Sequence, residues 1–118
     1  MGNGTRNIRQ LLDKIYAHKS LAGADLRNLY LSCMDLSGLD LRAANFQGCR
    51  LNYGTMNRSN LANANFAQAY LTSASFKEAN LTGAIFEGAI VTGANFAGAE
   101  MAALTMEYLK AKGGLGFS

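Results

Sequence analysis

Every fifth residue from Leu21 to Met106 is large and apolar, eighteen positions without a miss. The beat runs Leu21, Leu26, Leu31, Leu36, Leu41, Phe46 and onward to Phe96, Met101 and Met106. Two positions before each centre a small residue recurs, as at Ala24 and Ala44 and in every unit from Ala64 to Ala99. Between the two stands Asp or Asn at Asp25, Asp35, Asp40, Asn45, Asn60, Asn65, Asn80 and Asn95. Gly follows two positions after the centre at Gly23, Gly38, Gly48, Gly83, Gly88, Gly93 and Gly98. Neither regular element accommodates this period. Five residues turn an α-helix by roughly 500°, which scatters the centres around its surface. A straight strand alternates faces, so every second centre would point to solvent. The centres all face inward only if the chain bends once per unit and coils about a common axis. Asn, Asp and Gly suit such bends, through local side-chain hydrogen bonds and tolerance of positive φ. The pattern predicts a solenoid whose turns bond to one another through backbone amides.

The units Ala24-Asp25-Leu26-Arg27-Asn28, Ala64-Asn65-Phe66-Ala67-Gln68 and Ala94-Asn95-Phe96-Ala97-Gly98 resemble the A(D/N)LXX repeats of the pentapeptide repeat proteins. The resemblance covers about residues 20–100. It implies an all-β solenoid, a right-handed quadrilateral β-helix with four repeats to a turn. The phenylalanines fit an even number of sides. At twenty residues per turn Phe46, Phe66 and Phe86 stack on one wall, and Phe76 and Phe96 on the opposite one.

A solenoid exposes an unpaired edge and apolar core at each end, so caps are expected. Residues 7–18 read as an amphipathic N-terminal cap helix, with Ile8, Leu11, Leu12, Ile15 and Tyr16 on one face and Asn7 and Gln10 as a capping pair. Bulky Leu29, Met34 and Leu39 replace the small residue in the first turn, beneath that plug. At the other end Met101 and Met106 keep the beat, but Met101, Leu104, Tyr108 and Leu109 also share a helical face. A helix over 99–112, stopped by Gly113-Gly114, is the preferred reading, with a further β coil as the alternative. The expected organisation is one domain over 1–118, with residues 20–98 forming about four coils. Four coils make a rod about 20 Å tall.

The candidate chemical groups are few. Cys33 and Cys49 occupy outward and inward slots near opposite corners, too far apart for a disulfide, and read as free thiols in a reducing compartment. Two thiols and the distant His18 make no metal set. The carboxylates Asp25, Asp35 and Asp40 sit in the repeat's polar slot, where turn stabilisation accounts for them. A core filled by large side chains leaves no concave pocket. The expectation is therefore no enzyme, no cofactor, no metal and no small-molecule substrate. No span of about twenty apolar residues or signal peptide is found, so no membrane association and a cytoplasmic location are expected. The net charge of +3 sits wholly at the start, where Arg6, Arg9, Lys14 and Lys19 face Asp13. The coils are neutral. No basic stripe interleaved with aromatics follows, so nucleic acid is not an expected partner.

One outward column differs from the rest. Stacked by twenties, the residue before the centre runs Tyr30, Arg50, Tyr70 and Ile90, with Tyr53 and Ile85 close by. On the other walls this slot is mostly Asp, Asn, Ser or Thr. These residue types carry interface hot spots, which points to a scaffold that binds a protein partner or a second copy of itself. Mutual packing, with Arg50 sandwiched between two tyrosines, is the alternative. Whether the chain is a monomer or a homodimer is open, and the Phe117 tail could also join two copies. The resemblance adds another reading, because some pentapeptide repeat proteins mimic duplex DNA and inhibit or protect type II topoisomerases such as gyrase. A mimic of phosphates needs a strongly negative surface, and neutral coils count against it. The helix-then-repeat layout also resembles cyanobacterial members of that family.

Overall fold

The computed structural model describes residues 8–117. Asn7 of the expected capping pair and Arg6 of the basic run lie outside the described residues. Helix α1 (Ile8–Tyr16) leads into the coils, and α2 (Ala103–Ala111) follows them. Residues between pair in parallel with the residue twenty further on, from Asp25 with Asn45 to Asn80 with Glu100. Twenty residues per turn at five per side give four walls, and the molecule is a right-handed quadrilateral β-helix. It measures 41 × 22 × 22 Å. Four coils supply about 20 Å of that length, and the two helices lie beyond them.

Each corner is a tight turn with one rule. The N–H two before a centre bonds back to the carbonyl of the previous centre, as Ala24 does to Leu21 at 3.0 Å. The residue two after a centre has positive φ, while the one before it does not. That combination is a type II turn. It holds at Ala43, Tyr53, Arg58 and Glu78 as well as at the glycines. Each wall then bonds to its neighbours above and below. Phe66 N–H donates to the Ile85 carbonyl at 2.7 Å, and Ile85 N–H donates to the Ala64 carbonyl at 2.9 Å. The Asp and Asn slot closes the turn, as when Asn65 Oδ1 accepts the Ala67 N–H at 2.9 Å.

The centres and small residues fill the interior. Phe46 and Phe66 stack at 4.7 Å, Phe66 and Phe86 at 5.2 Å, and Phe76 and Phe96 at 5.1 Å. The two stacks meet edge-on, Phe66 against Phe76 at 5.5 Å. The first-turn bulk has a counterpart above it. Leu29, Met34 and Leu39 stand twenty residues below Cys49, Gly54 and Ser59, all small. Buried Ser59 is satisfied by donating to the Leu36 carbonyl at 2.6 Å.

Both caps differ in detail from the expected ones. In α1, Leu11 is fully buried and Ile15 is packed on the core, whereas Ile8 and Tyr16 face solvent. His18, at φ 52°, ends the helix. Lys19 N–H returns to the Lys14 carbonyl and His18 N–H to the Ile15 carbonyl, a Schellman closure that turns the chain into the first coil. Helix α2 is shorter than the expected 99–112. Glu100 still belongs to the coil, its N–H bonded to the Ala79 carbonyl at 3.0 Å. Leu104 points to solvent, and Leu109 is the buried anchor. Gly113 is more than a stop: its φ of 94° reverses the chain so that residues 113–117 return over the last coil. Leu115 pairs with Asn95, and Phe117 stacks on Phe96 at 5.7 Å, so that ring extends the core rather than forming a free tail.

Candidate interaction wall

The second residue of every fourth unit builds the candidate surface, because its side chain alternates outward between two inward neighbours. Tyr30 pairs with Arg50, Arg50 with Tyr70, and Tyr70 with Ile90. Parallel pairing places like positions directly over one another, so the side chains form one vertical column. The Arg50 guanidinium carbon lies 4.8 Å from the ring centroids of both Tyr30 and Tyr70. This is a cation held between two aromatic faces. Leu31, Leu51, Leu71 and Val91 back the column from inside and are all buried.

The column is graded in exposure. Tyr70, with neighbours above and below, is 36% exposed, whereas Tyr30 in the first coil is 73% exposed. Tyr53 stands at the corner two residues after Leu51, at φ 61°, and projects into solvent. Ile85 does not join the column. It belongs to the preceding wall, over Asn65, and flanks Ile90 within the last coil. Beside the column Asn52 Oδ1 accepts the Thr72 N–H at 3.2 Å, which ties the second coil to the third.

The other candidate groups are held apart. Asp25, Asp35 and Asp40 lie on three different walls. Arg27 donates to Asp25 at 2.8 and 3.0 Å, and Arg42 to Asp40 at 2.8 Å through both Nε and Nη2. The Arg42 side-chain hydrogen bond, helped by Ser20, holds the Asp40 carboxyl well below the usual range. Hydrogen bonds from Ser37 depress Asp35. Both are fixed as carboxylates and suit turn-holding rather than proton donation. Cys33 is exposed and Cys49 buried, both free, and burial pushes the Cys49 thiol up to about 12. Among the described residues, no helix is long and apolar enough to cross a membrane.

One arrangement at the upper rim escaped the sequence reading. The Tyr108 hydroxyl accepts the Gly88 N–H at 3.3 Å. The signal that could have found it is the spacing of twenty, the same that puts Leu115 over Asn95.

Comparison with known proteins places the repeats. The pentapeptide repeats family matches residues 20–52 and 56–88, in eight copies. A pentapeptide repeat protein from Nostoc Pcc 7120 is similar at 23% identity over 80% of this chain and 95% of its own, with a TM-score of 0.48. HetL, a pentapeptide repeat protein involved in heterocyst differentiation regulation from Nostoc sp. Strain PCC 7120, is 33% identical over 65% of this chain and 40% of its own, with a TM-score of 0.36. A pentapeptide repeat protein from the Arabidopsis thaliana thylakoid lumen is 26% identical over 86% of this chain and 81% of its own, with a TM-score of 0.38. Comparison with curated proteins finds no match.

Proposed function

This chain belongs to the pentapeptide repeat family, and on that footing we propose that it is a non-catalytic scaffold whose Tyr30–Arg50–Tyr70–Ile90 wall engages a protein partner or a second copy of itself. The observation that carries this reading is the exposure of Tyr30 and Tyr53, with Ile85 and Ile90 near them, on coils that carry no net charge. Tyr53 and Ile85 widen the surface at its two edges. A core filled by packed phenylalanine and leucine supports the non-catalytic part, because the coil interior holds side chains where an enzyme would hold substrate. Two free thiols agree with a reducing, cytoplasmic setting. Nothing in the charge of the coils favours mimicry of a nucleic acid.

The test is the double variant Tyr30→Ser/Tyr70→Ser. Self-association by sedimentation, or capture of a stoichiometric partner from the host at high salt, is expected to disappear while the β-sheet circular dichroism stays. Association that survives the double change would falsify the assignment of this wall. Salt-sensitive capture of a topoisomerase would replace the adaptor with the DNA mimic.

A further inference from the structure

Arg50 is the coil arginine that has no carboxylate. Arg27 and Arg42 each grip the aspartate two residues before them, Asp25 and Asp40, through two nitrogens. Arg58 has Glu78 at 3.9 Å. Among the described residues, no carboxylate lies within ion-pair reach of Arg50, and no side chain or carbonyl accepts from its guanidinium. Two places on, where a carboxylate could have paired with it, stands Asn52, whose Oδ1 already takes the Thr72 N–H. The rings of Tyr30 and Tyr70 cover the two faces of the guanidinium, each at 4.8 Å. Its edge carries the N–H donors, and nothing in the chain meets that edge. The rest of the outward side between the corners is Tyr, Ile, Ser, Asn and Thr, so Arg50 is the one charge on this wall.

Resting on the reading of this wall as an interaction surface, we propose that its occupant is an acidic extended segment of a partner protein. One Asp or Glu sits on Arg50, and apolar side chains flank it. A second copy meeting wall to wall would bring no carboxylate to Arg50. It would also bury too little: a wall about 20 Å tall on a rod 22 Å across offers roughly 440 Å², against the ~800 Å² per partner of a stable interface. An extended segment fits both facts. Its carboxylate takes the two-pronged bond for which a guanidinium edge is shaped, and the two rings hold that edge in register beforehand. Residues two before and two after the acid lie ~6.7 Å from it on the same face of a strand, while the rungs beneath are ~4.8 Å apart. One of them covers exposed Tyr30, and the other comes down between Tyr70 and Ile90.

The experiment titrates the isotope-labelled whole chain with a capped Leu-Ser-Glu-Ser-Leu peptide and with its glutamine counterpart, followed by NMR. Saturating shifts are expected at the Arg50 Nε–H and at the Tyr30 and Tyr70 amides, with a sub-millimolar dissociation constant. The glutamine peptide should bind about tenfold more weakly. Asn52→Asp supplies a carboxylate from within the chain, in mirror image of the Asp40–Arg42 pair, and keeps an acceptor for Thr72. It should weaken the glutamate peptide by about fivefold or more while the circular dichroism stays unchanged. Equal binding of the two peptides at the wall overturns the acidic assignment and leaves the wall an interaction surface. Silence toward both peptides below about 1 mM overturns the proposal as well. The wall reading then stands if Tyr30→Ser/Tyr70→Ser still abolishes self-association or capture of a host partner, and falls with the proposal if it does not.

Discussion

The hydroxyl of Tyr108 stands where the carbonyl of a fifth coil would meet the N–H of Gly88, 3.3 Å away. A side chain from α2 thus completes one corner of an edge that the backbone has left. Tyr108→Phe keeps the ring and removes the acceptor. It is expected to cost about 0.5–1.5 kcal/mol in urea unfolding. Amide exchange at Gly88 should accelerate at the same time; an unchanged rate would show that water serves that donor equally well.

Gly83 tests the corner geometry. Its φ is +74°, and a Cβ there would collide with the Asn63 side-chain oxygen in the coil below. Gly83→Ala combines left-handed strain of about 1–2 kcal/mol with that clash. Adding Asn63→Gly removes the obstacle and leaves the strain. The double variant is expected to be more stable than the two single losses predict, measured by denaturant midpoint.

The thiols separate by exposure. Cys33 faces solvent, while Cys49 is buried with its thiol pushed up to about 12. An aromatic disulfide reagent at mild alkaline pH should label one thiol per folded chain and both in denaturant. Cys33→Ser should abolish labelling of the folded protein. Fast labelling of that variant would mean the second coil opens.

Asp40 gives a pH signature. Its carboxyl is held below the usual range chiefly by the Arg42 hydrogen bond. A depressed folded-state value stabilises the fold at pH above the ordinary ~3.9 and loses that contribution as pH falls toward the folded value. Asp40→Asn should therefore melt below the parent protein at neutral pH, with the gap narrowing in acid. A gap that is constant with pH would assign the effect to shape rather than charge.

The repeat was legible because each side chain's direction follows from its place in a five-residue turn. Leu21 to Phe96 needed no tertiary knowledge to be placed inside, and the Phe46–Phe66–Phe86 stack followed from counting by twenties. The Tyr30–Arg50–Tyr70 sandwich was legible for the same reason. Positive φ at Ala43, Tyr53 and Glu78 was not, since closure of the coil imposes it against the preference of the residue. The upper end was read least well. Leu104 and Leu109 both fit an apolar helical face, and only the docking of α2 decides that one is exposed and the other buried. The return of Leu115 onto Asn95 depends on where that helix ends.

The pairing of the residue before each centre with the one twenty ahead, from Asp25 to Asn80, makes the rod a screw with a fixed phase. Deleting one five-residue unit would leave every centre facing inward and the core intact. It would also rotate everything above the deletion by a quarter turn. A deletion between Arg50 and Tyr70 would bring another residue over Arg50 and move Tyr70 to a neighbouring wall. Deleting a whole turn of twenty would shorten the rod by one rung and keep the walls in phase. Length in this protein can change in fives without harm to the core, but its surface columns survive change only in twenties.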